Sequence, residues 1–162
     1  MKRLIPLLAV QALSASEGST DIYVFGASYH TNTEYSYNGE NYGVGVGFAY
    51  YVADNTEITI IQGAYIDSFD QQAVFVMPGV RHTVGDRNGL HSSLGLNAGL
   101  FSGSGFNGFG FMPTATIGYD RVDLCVTGLP NMTDNNPSTD DPRQGASTGV
   151  IGAFIKLRIA EW

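Results

Sequence analysis

Three side chains, His30 and the distant neighbours Asp67 and Ser68, carry the chemistry worth testing first. An imidazole can take a proton near neutral pH, a carboxylate can orient or stabilise it, and a hydroxyl can attack a carbonyl or donate to an oxyanion. Together these are the groups of acyl transfer. Residue types alone do not make a site, because any exposed loop holds hydroxyls and acids. The trio matters only if the elements that carry it end in the same place.

Those elements read as strands. Glycine, present 21 times in 162 residues, is scattered through every apolar stretch, and each interior glycine costs a helix about 1 kcal/mol. The stretches are short and rich in Val, Ile, Tyr, Phe and Thr, as strands are. Eight are expected, over 19–30, 43–52, 57–67, 72–83, 90–102, 107–119, 121–129 and 147–161. Several alternate in character. Val44, Val46, Phe48 and Tyr50 share one face, and Gly43, Gly45, Gly47 and Ala49 the other. Leu94, Leu96, Ala98 and Leu100 oppose Ser93, Gly95, Asn97 and Gly99, and Phe109, Phe111, Pro113, Ala115 and Ile117 repeat the pattern. A bulky apolar face backed by a small-residue face suits a narrow barrel wall, with large side chains toward lipid and small ones inside. The third stretch, with Ile58, Ile60, Ile61 and Tyr65, is apolar on both faces, so part of the lumen is expected to be dry.

The connections support closure. Ala53-Asp54-Asn55-Thr56, Val84 to Gly89 and Asp120 are short, whereas 31–42 and 128–146 are long. Short turns alternating with longer loops mark an outer-membrane barrel, its turns periplasmic and its loops outside. The expected fold is therefore all-β, an eight-stranded antiparallel up-and-down transmembrane β-barrel over 17–162. A soluble barrel or sandwich is the alternative. An open sheet in hydrocarbon would leave edge N–H and C=O groups without partners. In this topology His30 ends the first strand and Asp67-Ser68 end the third, so all three gather at the outer rim.

Composition narrows the function. Acids outnumber bases 15 to 8, a net charge of −7, which argues against nucleic-acid binding. A single cysteine, Cys125, excludes an internal disulfide and cannot by itself make a zinc site. Residues 1–16 read as an export signal: Lys2 and Arg3 lead an apolar run from Leu4 to Leu13, then small residues Ala12, Ser14, Ala15 and Ser16. That run is too short to cross a bilayer, which takes about 20 residues.

The ordered elements resemble the outer-membrane lipid A palmitoyltransferase family. They are Ala27-Ser28-Tyr29-His30, Gly43-Val44-Gly45-Val46-Gly47-Phe48, Gly63 to Phe69, Leu94 to Gly99, Pro113 to Tyr119 and Thr127 to Pro130. The resemblance implies an enzyme that moves a palmitoyl chain from a phospholipid to lipid A, with no cofactor, acting as a monomer in the outer membrane. It places the family's catalytic set on His30, Asp67 and Ser68. His30 would be the base on the acceptor hydroxyl, Asp67 would orient it, and Ser68 would be nucleophile or oxyanion donor. Proline leaves a gap in a strand ladder, so Pro113 and Pro130 on neighbouring strands would weaken pairing, and Pro78 is a further candidate. In the resembled family such gaps admit lipid sideways. The lumen would hold the acyl chain, with Gly79 as its floor.

The sequence also departs from the family. The bracing amphipathic N-terminal helix is missing, and the outer loops hold few bases, Arg143 the clear one. Trp162 has the parity of Lys156 and Arg158 and not of the apolar Ile155, Leu157 and Ile159. Other features look structural. Gly43-Val44-Gly45-Val46-Gly47 precedes no helix, so it is no dinucleotide motif. Asp134, Asp140 and Asp141 read as a solvated loop, Asn131-Met132-Thr133 carries no weight as a glycosylation pattern, and Cys125 lines the lumen. His82 and His91, at the inner strand ends, receive no role. A non-catalytic barrel and a lipid A deacylase remain the competing functions.

Overall fold

A computed structural model of the chain describes residues 17–31, 34, 36–103, 107–133 and 147–162, apart from the side chains of 130–133 and 147–148. The segment 1–16, on which the export-signal reading and the expected lack of an N-terminal helix fall, lies outside the described residues, as do Asp134, Asp140, Asp141 and Arg143.

Eight strands follow one another: β1 (Gly18–His30), β2 (Glu40–Ala53), β3 (Thr56–Ile66), β4 (Gln72–Gly85), β5 (Leu90–Ser102), β6 (Asn107–Tyr119), β7 (Val122–Thr133) and β8 (Ser147–Glu161). Each pairs antiparallel with its neighbour, and β1 pairs with β8 from Ser19↔Glu161 to His30↔Val150, which closes the barrel. Relative to the expected bounds, β2 starts earlier, at Glu40, and β7 runs on to Thr133. The short connections sit at one end, here the turn end. There Asp120, at φ 53°, adopts the left-handed conformation that a two-residue turn requires. The longer loops share the opposite, loop end.

Alternation sorts side chains as read from the sequence. Leu94 is 71% exposed on the outside, whereas Met77 on the inner face is fully buried. The outward surface is a continuous belt of Val, Leu, Ile and Phe, far more apolar than water-facing surfaces tolerate. Glycine inside leaves room where aromatic rings cross: a Cβ on Gly47 would lie 2.6 Å from the Tyr23 ring.

Among the register shifts of the described strands, two bulges each re-aim a functional end. In β1 the register passes from Phe25↔Phe154 to Ala27↔Ala153, so Gly26 is an extra residue. Tyr23 and Phe25 point inward, and strict alternation would send Ser28 and His30 outward. The bulge reverses the parity, so both face the lumen. In β8 the register passes from Asp21↔Arg158 to Thr20↔Ala160, leaving Ile159 extra. This corrects the reading of Trp162, whose parity with Lys156 would have turned it inward. The bulge swings the indole out, edge-on to Tyr50 at 5.1 Å, where Nε1 donates to Thr20 Oγ1 at 3.2 Å.

The ladder is interrupted near the prolines. Among the described residues β6 and β7 pair only from Tyr119↔Val122 to Thr114↔Thr127. Beyond that, the 107–113 half of β6 has no register partner in β7. Pro113 stands at the parting point, and its carbonyl accepts from Thr127 Oγ1 at 2.7 Å. The β7–β8 register shifts between Leu129 and Met132, the step that contains Pro130. At Pro78 the β4–β5 ladder skips from Val76↔Leu100 to Gly79↔Asn97 and then continues.

Candidate active site

The loop end assembles the trio from two elements, the end of β1 and the β3–β4 connection. Asp67 begins the β3–β4 connection, and its Oδ1 accepts from the backbone N–H groups of Phe69 at 2.9 Å and Gln71 at 3.1 Å. Its own N–H donates to the Gln71 carbonyl at 2.7 Å. This side-chain-stapled turn is a common use of aspartate, and here it presents Ser68. The Ser68 carbonyl accepts from Asn38 N–H at 3.0 Å, which ties this turn to the β1–β2 connection. His30, turned inward by the Gly26 bulge, then places Nε2 2.7 Å from Ser68 Oγ.

Thus the structure brings His30 and Ser68 into direct contact and sets Asp67 beside them. The carboxylate holds the turn, while His30 Nδ1 is buried with no hydrogen-bond partner among the described residues. The imidazole is restrained in other ways. Tyr37 stacks on it at 4.3 Å and 12° between planes, and Phe69 meets Tyr37 edge-on at 6.0 Å. Ser28 Oγ lies 3.5 Å from Nε2 and donates to Asn41 Oδ1, and Asn41 Nδ2 donates to the Ile66 carbonyl at 2.9 Å.

Sequence reasoning passed over Ser28, Tyr37 and Asn41. Asn41 could have been found, because it shares the parity of the lumenal glycines 43, 45 and 47. Tyr37 carries no such signal, since loop residues have no period.

Beneath the His30–Ser68 pair lies a cavity of about 170 Å³. Its walls are apolar: Phe25, Tyr65, Phe75, Phe101, Met112 and Phe154 line it below the polar mouth. The rings pack at centroid distances of 5.5 Å for Phe25–Phe75 and 5.6 Å for Phe25–Phe154. Gly79 does not line this cavity. It lies deeper, below Met77, and the space a side chain would use is already filled by the Asn97 amide. Met77 packs with several of the lining rings in one buried cluster.

The turn end of the lumen holds charge instead. Asp21, Glu57, Arg81, Asp123, Lys156 and His91 are all buried there. Arg81 Nε bonds to Glu57 and its Nη2 lies 3.5 Å from Asp21. Lys156 Nζ lies 2.6 Å from Asp123, whose other oxygen meets His91 Nε2 at 2.8 Å. His91, given no role from sequence, is thus a member of an internal ion network. Cys125, 1% exposed, lies in the apolar layer just above it, as the alternation with Leu124 and Val126 required.

The comparisons with known proteins agree with this picture. No curated protein matches the chain. Among solved structures the chain is similar to the crystal structure of Neisserial surface protein A, with a TM-score of 0.53 and 12% identity over 88% of this chain and 96% of that one. At that identity the likeness concerns the fold alone. A profile of the family described as antimicrobial peptide resistance and lipid A acylation protein PagP matches residues 10–138, most of the chain and all of the elements that build the His30–Ser68 pair. The chain belongs to the PagP family of lipid A acylation proteins.

Proposed function

We propose that the chain is an outer-membrane acyltransferase that moves a palmitoyl chain from a phospholipid to lipid A, exported by the signal at 1–16. The observation that carries this reading is the 2.7 Å contact between His30 Nε2 and Ser68 Oγ at the mouth of an apolar slot. A base in contact with a hydroxyl, above a cavity that welcomes methylenes at about 0.8 kcal/mol each, suits an acyl ester whose carbonyl rests at the rim.

Transfer needs one hydroxyl oxygen to bond to the donor carbonyl carbon while its proton passes to His30 Nε2. Collapse of the tetrahedral intermediate breaks the ester C–O bond, and the departing lysophospholipid oxygen takes that proton. Two roles for Ser68 fit the geometry. It attacks first and passes the acyl group on, or it donates to the oxyanion while the lipid A hydroxyl attacks. Asp67 supports either by holding the turn that bears Ser68. The split between β6 and β7 at Pro113 and Pro130 supports a lateral route by which the donor reaches the slot from the bilayer.

The test is mass analysis of lipid A from a host lacking this activity, with and without the protein. A gain of one acyl chain supports transfer, and the added mass reads the chain length. A loss of one chain would instead mean deacylation, and no change an inert barrel. His30→Ala should abolish the gain while the protein still migrates as a heat-modifiable folded barrel. Retained activity would remove His30 from the mechanism.

A further inference from the structure

The imidazole of His30 lacks the restraint that a triad carboxylate supplies at Nδ1, since that atom has no hydrogen-bond partner among the described residues. Its polar restraint lies wholly at Nε2, which meets two hydroxyls, Ser68 at 2.7 Å and Ser28 at 3.5 Å. These are not equivalent, and the reason is directional.

The Ile66 carbonyl can only accept, so the Asn41 group 2.9 Å from it must be the amide nitrogen. That assignment turns Asn41 Oδ1 toward Ser28. An amide oxygen can only accept, so the single hydrogen of the Ser28 hydroxyl is committed to it. What Ser28 presents to His30 is therefore a lone pair. Ser68 can donate to a bare Nε2, whereas Ser28 can only receive from a protonated one. Both Ser28 and Asn41 reach the lumen through backbone parity, Ser28 by the Gly26 bulge and Asn41 by its place among the inward glycines.

We propose that Ser28 and Asn41 form a positioning pair for His30: an acceptor with its polarity set by Asn41, which receives Nε2–H while the imidazole carries the proton. This rests on reading His30 as the base. The pair acts only through His30 and takes no proton itself. It favours the protonated imidazole, aims Nε2 along the line between the two hydroxyls, and compensates for the missing partner at Nδ1.

The experiment measures acyl transfer by the purified full chain from phospholipid to lipid A in mixed micelles. Ser28→Ala, Asn41→Ala, Ser28→Thr and His30→Ala are compared, with heat-modifiable migration as the control for folding. Ser28→Ala and Asn41→Ala should each lower kcat about ten- to a hundredfold, the range for losing a hydrogen bond to a charged group, with KM nearly unchanged. The double variant should be no slower than the worse single one, because both act through one contact. Ser28→Thr keeps the hydroxyl and should recover most of the rate. Should Ser28→Ala fail to give a folded band, Ser28→Gly removes the same hydroxyl without added bulk. Full kcat in folded Ser28→Ala and Asn41→Ala, with His30→Ala inactive, would overturn the pair and leave the base in place. So would additive losses, or a Thr variant as slow as the Ala one. Activity in His30→Ala would instead overturn the reading beneath it.

Discussion

The two ends of the lumen are built from the same alternating strands yet solve opposite problems. At the turn end every inward position that is not small is polar or charged, and Arg81, Lys156 and His91 are spent on Asp21, Glu57 and Asp123. That network plugs the barrel. At the loop end the inward residues are Phe, Tyr and Met, and space remains. The polar groups there, His30, Ser68, Ser28 and Asn41, sit at the mouth and are held by neutral hydrogen bonds. Ionic partners lock side chains and exclude a ligand, whereas an apolar slot with a few oriented hydroxyls admits one. Met77, Tyr23, Ile61 and Cys125 form the insulating layer between the two.

The comparison breaks most completely at Gly26. Deleting Gly26 together with Ala27 removes the bulge and one further residue, so that Ser28 follows Phe25 directly and, with His30, should turn to the outer face, transfer falling a hundredfold or more, about the share of a general base. Because the turn-end network is untouched, the barrel should still fold and show heat-modifiable migration. A double-deletion variant that retains transfer would show that strand parity does not aim the base, whereas deleting Gly26 alone keeps Ser28 and His30 inward and should keep transfer.

Arg81→Ala tests the other end. It leaves Glu57 and Asp21 buried without their main partner, and breaking such a pair costs about 3–5 kcal/mol. Urea titration of the folded fraction in vesicles should register this loss, while the surviving folded protein transfers acyl chains at a rate within about twofold of the parent, as expected for independent sites. Coupled loss of both would mean that the insulating layer does not separate the halves.

Gly79→Ala sharpens where the slot ends. Its new methyl meets Asn97 and the Leu96 carbonyl, so overpacking should cost about 1–3 kcal/mol. The acyl chain added to lipid A should keep its length, read by mass. A shortened chain would restore Gly79 as the floor. The smallest effect belongs to the closing seam. Tyr50→Leu removes the ring against Trp162 and should cost about 0.5–1.5 kcal/mol of barrel stability, with no change in transfer.

Much of this is readable in the residues. Val44, Val46, Phe48 and Tyr50 against Gly43, Gly45, Gly47 and Ala49 state which face points out of the barrel, because a strand's side chains alternate with a period of two. Pro113 announces its gap, since no fold can give it an N–H. His30 and Asp67-Ser68 meet because up-and-down topology sends alternate strands to the same rim. Asp67 does more than its residue type suggests. A carboxylate near an imidazole reads as its partner, and nothing in the residue type announces that this one also accepts from the backbone amides two and four residues on. Gly79 departs from its expected place, because depth along the lumen depends on which bulky side chains stack above it.

By itself the sequence determined the strands, their inward and outward faces, the order of turns and loops, and the rim at which the reactive groups meet, since all of these follow from local periodicity and chain connectivity. Only the tertiary structure decided the two bulges, and with them whether His30 and Trp162 point in or out. A bulge is a mismatch between the lengths of paired strands, and no strand carries that information alone. The same holds for the orientation of Ser28: its single hydrogen is directed by an asparagine on β2, which is directed in turn by a carbonyl on β3.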